Sequence, residues 1–174
     1  MVAWSKQGNV VKACRFASMF DVQIRKAGAE DVSVLQELIE EMSQYERLPL
    51  AMTEERLSRD GFGEAALFQA LLAYVDDQPA GYALTHSCYA SFEGRGLFLE
   101  DLFVREMFRG HDVGKHLLSA VARIAREQEC FGIVLNILRW NSPALRFFRN
   151  AGAEELEDRA IFLIPNESLG PFLS

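Results

Sequence analysis

The sequence predicts a mixed α/β (α+β) domain in which helices flank a mostly antiparallel central sheet. Three observations carry that expectation. Segments 67–76, 80–90 and 97–104 are rich in Leu, Ala, Tyr and Val and follow one another across short turns, which suits consecutive antiparallel strands. Segments near 32–45 and 112–128 repeat their apolar residues at helical spacing. The run 131–138 carries Val134, Leu135, Ile137 and Leu138 on both faces of an extended chain, as a strand covered on both sides should.

Taken in order, Val22 and Ile24 begin a short strand at Asp21, and Ala29-Glu30-Asp31 opens a helix with Val34, Leu35, Leu38, Ile39 and Met42 on one face. That helix is expected to end near Tyr45, before Pro49. Thr53 is placed to N-cap a second, shorter helix that runs through Asp60, where Gly61 and Gly63 break it. Asp76-Asp77-Gln78-Pro79 turns the first hairpin and Glu93-Gly94-Arg95-Gly96 the next. The helix over 112–128 gathers Val113, Leu117, Ala120, Val121, Ile124 and Ala125 on one side. Ser142-Pro143 starts another helix, Ser as N-cap and Pro at the first helical position, and Gly152 ends it. Residues 159–164 are expected to form a last strand.

With 174 residues, 49% of them apolar and 11% aromatic, the chain is long enough for one domain with a full core, expected over 21–174. Residues 1–20 show no clear periodicity and read as a disordered extension. They contain Lys6, Lys12 and Arg15 and no acid, so the formal charge of −7 becomes −10 for the remainder. An acidic body disfavours nucleic acid and attracts small cations. No run reaches the roughly 18 apolar residues of a membrane span. Cys14, Cys88 and Cys130 lie far apart with no paired spacing, and His86, His111 and His116 offer no ligand spacing. Neither a metal site nor a disulfide framework is expected, and a reducing, cytoplasmic setting fits.

The chain is organised around residues 99–120. Leu99-Glu100-Asp101-Leu102-Phe103-Val104 is an apolar strand interrupted by two acids, and it runs through a turn containing Arg109, Gly110 and Gly114 into an amphipathic helix. A helix N-terminus with unpaired N–H groups at a strand's end is an anion site in outline. These residues resemble the Gcn5-related N-acetyltransferase (GNAT) superfamily, which carries Arg/Gln-x-x-Gly-x-Gly/Ala at such a junction. Tyr45-Glu46, Asp60-Gly61-Phe62-Gly63, the acidic strand and Trp140-Asn141 fall in the order of its diamine (spermidine/spermine) and thialysine acetyltransferases, over roughly residues 20–165.

The resemblance implies acetyl-CoA as co-substrate, no metal, a small amine as acceptor and a homodimer. It places the cofactor on Leu102, Phe103 and Val104, on the turn Arg109, Gly110, His111, Asp112, Val113, Gly114 and Lys115, and on Asn141 and Ala144. It assigns the acceptor to Tyr45, Glu46, Asp101 and Asn136, and proton removal to Glu100. Alternation along a strand points Glu100 and Asp101 to opposite faces, whereas the resemblance puts both on the acceptor side. Two residues depart from the family pattern. Asp112 replaces a glycine and sets a carboxylate where a phosphate should approach; its oxygen also suits an N-cap, competing for the same amides. Phe148 replaces the tyrosine that protonates the departing thiolate, and a phenyl ring has no proton to give. Arg139 disfavours a long polycation if it faces the acceptor. Two readings follow: an N-acetyltransferase of a diamine, polyamine or thialysine-like amino acid, or a catalytically impaired relative with a binding role.

Overall fold

The structure is a computed structural model, and it describes residues 21–156 and 161–168. Its backbone forms two compact units, Met1–Asn136 and Ile137–Ser174. In the first, five strands make one sheet: β1 (Val22–Lys26), β2 (Gln69–Val75), β3 (Gln78–Ala90), β4 (Gly94–Val104) and β5 (Ile133–Leu135). The sheet order follows the chain order, with β1 to β4 antiparallel and β5 parallel to β4. Three helices accompany it: α1 (Val32–Glu46), α2 (Glu54–Phe62) and α3 (Val113–Glu127). The second unit contains α4 (Ser142–Asn150).

Alternation along the strands divides the core in two. Ala70 and Leu72 of β2, Tyr82 and Leu84 of β3 and Phe103 of β4 pack with Leu35 and Leu38 of α1 and Leu57 of α2. Leu71, Ala73, Ala83, Leu97 and Leu99 are buried on the opposite face, the face along which α3 buries Val113, Leu117, Val121 and Ala125. Leu38 and Leu117 are fully buried, so each helix contributes about 1.5–3 kcal/mol for every such side chain taken from water.

Local chemistry explains the boundaries. Thr53 caps α2 as expected, its hydroxyl accepting from the Arg56 N–H at 3.3 Å. Arg47 ends α1 in the left-handed conformation. Asp76 and Asp77 both have positive φ, 48° and 61°, which makes the first hairpin a tight two-residue turn whose twist matches the strands. Gln78 and Pro79 therefore belong to β3 and not to the turn. Arg105, just past β4, straps the sheet to α1: its guanidinium donates to both Glu41 oxygens, to Glu37 and to the Pro79 carbonyl.

Three expectations are corrected. The strand expected over 131–138 spans only Ile133–Leu135, and its residues are half-buried. Among the described residues it lies at the sheet edge, paired on one side, so the apolar run exceeds what that ladder holds. The helix expected to be capped by Ser142 is capped by Asn141, whose side-chain oxygen accepts from the Ala144 N–H at 3.2 Å. Of the last expected strand, residues 159 and 160 lie outside the described residues. Ile161, Phe162, Leu163 and Ile164 form no strand and are exposed. Residues 1–20 also lie outside the described residues.

The junction of β1 with the first helix rests on Asp31. Its carboxylate is buried and accepts twice from Arg25, at 2.6 and 2.7 Å, and once from the Gly28 N–H at 2.8 Å. The Arg25 hydrogen bonds hold its carboxyl below the ordinary range, against the opposing effect of burial. Because the folded state binds this proton less readily than the unfolded chain, the stabilisation is complete above the ordinary carboxylate range and is lost as pH falls through the depressed value. Asp31→Asn should destabilise the protein by about 2 kcal/mol at pH 7, as expected for charge-assisted bonds. Urea unfolding should show the difference from wild type narrowing as the pH is lowered below the ordinary carboxylate range.

Candidate active site

The two acids of β4 owe their positions to a bulge. Leu84 pairs with Asp101 and Thr85 with Leu99, so Glu100 is an extra residue in the ladder. On β3, Tyr82, Leu84 and His86 share one face by alternation; their partners on β4 are Phe103, Asp101 and Phe98. Phe98 and Glu100 are two residues apart and share that face as well. The inserted residue thus cancels one alternation, and Glu100 and Asp101 emerge on the same side of the sheet, the side covered by α1. The expectation of opposite faces fails for this reason.

Their surroundings differ. Asp101 is largely buried, and Tyr82 donates its hydroxyl to the Asp101 Oδ2 at 3.0 Å. Burial pushes the Asp101 carboxyl up to about 6; the Tyr82 hydrogen bond opposes this, while the charges of Glu100 and Glu46 add to it. Glu100 is exposed, with its Oε2 3.6 Å from the Nε2 of His86. The His86 ring stacks on Phe98 at 5.0 Å and its Nδ1 lies 3.1 Å from the Ser87 carbonyl oxygen. At the end of α1, burial also raises the Glu46 carboxyl. Three carboxylates and a phenol therefore meet where β3, β4 and α1 converge. Tyr82 and His86 were not anticipated from sequence, because only the register sets them beside β4.

Beyond the bulge the sheet opens. β5 pairs with β4 only at Leu97, Phe98 and Leu99, so the β5-facing edge of Glu100–Val104 has no strand partner among the described pairings. By alternation the main-chain groups of Leu102 and Val104 face this edge, where the Val104 carbonyl accepts from Arg109 Nε, while the Phe103 carbonyl faces β3. An unpaired stretch of strand edge can bind an extended amide-bearing chain by main-chain hydrogen bonds. On the other edge β4 lies close against β3: a side chain at Gly81 would collide with the Phe103 carbonyl oxygen.

The chain then passes through a short turn, Glu106–Phe108, to Arg109, Gly110 and His111 and into α3. Gly110 and Asp112 both have positive φ, 81° and 60°. Asp112 occupies the N-cap position, yet its side chain makes no capping bond. An N-cap residue ordinarily has extended backbone to reach the N2 or N3 amide; the left-handed backbone here turns the carboxylate away, and it pairs with Lys115 Nζ at 2.7 Å. The expected competition for the helix amides is thus absent, and Lys115 offsets the carboxylate's charge. Val113 is buried beneath the turn, with Gly114 next in the first helical turn. The N-terminal amides and dipole of a 15-residue helix favour an anion at this end.

Arg109 does not point outward from the turn. Its Nε donates to the Val104 carbonyl at 2.9 Å, and its guanidinium lies over the Tyr45 ring, 4.6 Å from the centroid, with Phe103 at 5.9 Å. It ties the end of β4 to Tyr45 at the C-terminus of α1. The family resemblance assigns Arg109 to the cofactor and Tyr45 to the acceptor; the fold puts the two in contact. Asn136 follows β5 and is exposed.

In the second unit, Asn141 is buried and serves as the cap of α4 through Ala144. Phe148 is buried and meets Phe147 edge to face at 5.1 Å. Arg139 pairs with Glu155 at 2.9 Å, and Glu155 also receives Arg149 at 3.1 Å. The guanidinium of Arg139 therefore has a carboxylate partner within its own unit. No helix among the described residues is long and apolar enough to cross a membrane.

Comparison with known proteins identifies the family. The model of the acetyltransferase (GNAT) family matches residues 33–153. The chain is 32% identical over 147 residues to a thialysine N-epsilon-acetyltransferase of Bos taurus, covering 79% of this chain and 86% of the relative. It is 33% identical over 151 residues to the spermidine/spermine N(1)-acetyltransferase-like protein 1 of Homo sapiens, covering 82% of this chain and 22% of that longer protein. Among solved structures, the aminoglycoside N-acetyltransferase AAC(6')-Iy in complex with CoA superposes with a TM-score of 0.69 at 21% identity, covering 87% of this chain and 99% of the other. That likeness speaks to the fold. Matched over most of its length by the family model and by relatives above 30% identity, the chain belongs to the GNAT family of acetyltransferases.

Proposed function

We propose that the protein transfers the acetyl group of acetyl-CoA to the amino group of a small amine: a diamine, a polyamine or a thialysine-like amino acid. The observation that carries this reading is the bulge in β4. It brings Glu100 and Asp101 to one face, within the electrostatic reach of Glu46, beside a strand edge left open for an extended ligand. A cluster of carboxylates attracts a cationic amine and favours its capture over that of an anion. The names of the relatives point to the same substrate class.

Acetyl-CoA supplies an activated acetyl group. The strand Leu102, Phe103 and Val104 offers its extended arm an open edge, chiefly through the Leu102 main chain, and the turn from Arg109 to Lys115 suits its phosphates. Asn141 and Ala144 are used up in capping α4, which gives them a structural part in addition to the expected one. At the acceptor end, Tyr45 and Glu46 line the approach and Asn136 completes it. Asp101 holds the amine, and Glu100, exposed and next to His86, takes the proton out to solvent. A carboxyl with a value of about 6 is mainly ionised at neutral pH and still basic enough to accept a proton. In place of a tyrosine donor, Phe148 leaves the thiolate to be protonated from water, which a leaving group of pKa near 8.5 tolerates. The working form is taken to be a homodimer, as the family resemblance implies, in the reducing, cytoplasmic setting that the cysteine spacing suits. The non-catalytic alternative gains no observation of its own, and Arg139 shares the Glu155 carboxylate with Arg149.

The test is release of CoA from acetyl-CoA in the presence of thialysine, spermidine and short diamines. Turnover with at least one is expected; none with any would refute the reading. Asp101→Asn should lower kcat/KM by about 10²-fold or more if the carboxylate engages the amine. Asp112→Gly removes a like charge and relieves a left-handed backbone, so calorimetry should show acetyl-CoA binding about three- to tenfold tighter than wild type. Phe148→Tyr restores a proton donor, and kcat should rise by about tenfold or more in the same CoA-release assay.

A further inference from the structure

Among the described residues Tyr82 is the largest fully buried side chain, and its hydroxyl is the one side-chain polar atom it carries into the core. A buried phenol without a partner is costly. Here the hydroxyl lies 3.0 Å from the Asp101 Oδ2 and 3.1 Å from the Met42 Sδ of α1. A thioether is a weak acceptor and a carboxylate a strong one, so the proton belongs on the bond to Asp101. The ring itself is held by packing among Leu84, Phe103 and the apolar residues of α1, with Phe103 at 6.2 Å between centroids. We propose that Tyr82 is the positioning residue of the site: its hydroxyl fixes the Asp101 carboxylate in one orientation and keeps it ionised for the incoming amine.

The inference rests on the acetyltransferase reading given above and extends it to a residue outside the acidic strand. Its physical logic is directional. The groups that bear on Asp101 are Tyr82 of β3, Glu100 of its own strand and Glu46 of α1. The two glutamates and burial all favour the neutral acid, and among these groups Tyr82 alone favours the anion. Burial and the neighbouring carboxylates push the phenol well above its ordinary value, so it stays a donor throughout the working pH range. Removing the hydroxyl leaves the carboxylate buried beside two like charges with that counterweight gone. Because Oδ2 is held from the β3 side, Oδ1 is the oxygen left for a substrate ammonium.

Tyr82→Phe tests this, since the ring and its packing are retained. Two readouts are needed, and the first does not require turnover. In protein labelled with ¹³C at aspartate carboxyl carbons, the Asp101 titration midpoint should rise by about one pH unit or more in Tyr82→Phe relative to wild type, the shift expected for loss of one charge-assisted hydrogen bond. In the CoA-release assay, the acidic limb of the kcat/KM profile should move up by the same amount, giving about a tenfold loss on the acid side that is recovered at high pH. An unchanged carboxyl midpoint overturns the proposal, as does a shifted midpoint with an unshifted rate profile. Wild-type protein that acetylates no amine would overturn the transferase reading instead, and with it the catalytic part of this role, while the carboxyl titration would still decide whether Tyr82 controls Asp101. A thermal melt of the variant close to wild type separates this outcome from a packing defect.

Discussion

One extra residue in β4 is the constraint from which the site follows. A regular strand sends neighbouring side chains to opposite faces, and Glu100 and Asp101 would then be split between the α1 layer and the α3 layer. A carboxylate on the α3 face, among Leu97, Leu99 and the buried stripe of α3, would be desolvated without a partner. The bulge avoids that cost and brings both acids under α1. It also marks where β4 and β5 part, since their ladder stops at Leu99. The acceptor side and the open strand edge are two consequences of the same irregularity.

The two carboxylates, though adjacent, are electrostatically unlike. Asp101 is largely buried and held by the Tyr82 hydroxyl, and its proton affinity is raised by burial. Glu100 is open to solvent beside His86. In the proposed reaction the first, a group that is held, captures the cation, and the second, a group that exchanges with water, disposes of its proton. The division depends on α1 being fixed over the sheet. Arg105, clamped between Glu37, Glu41 and the Pro79 carbonyl, provides that fixation, and the Arg109 guanidinium adds a second tie through Tyr45. Asp112 illustrates how backbone conformation overrides composition: a residue type that suits capping does not cap, because its φ of 60° directs the carboxylate to Lys115.

Much of the fold was legible in the sequence. The hairpin strands, α1, α2, α3 and α4, and the Thr53 cap follow from periodicity and local chemistry, which act over a few residues. The failures share a cause. β5 was read too long because an apolar run reports burial and not the length of a ladder. The 161–164 segment is as apolar as a strand, but strand pairing is a property of two segments, and its residues are exposed. The cap of α4 moved from Ser142 to Asn141 because both types cap well and only geometry chooses between them.

The sequence by itself determined the order of elements, the acid pair within an apolar strand, the glycine-bearing turn before α3 and the departures at Asp112 and Phe148, because each is written in neighbouring residues. Only the tertiary structure decided that Glu100 and Asp101 share a face, that Tyr82 and His86 stand beside them, and that Arg109 reaches back to Tyr45. Apart from the adjacent acid pair, those relations join residues 14 to 64 positions apart. They depend on strand register and on the seating of α1, which no local pattern of residue types encodes.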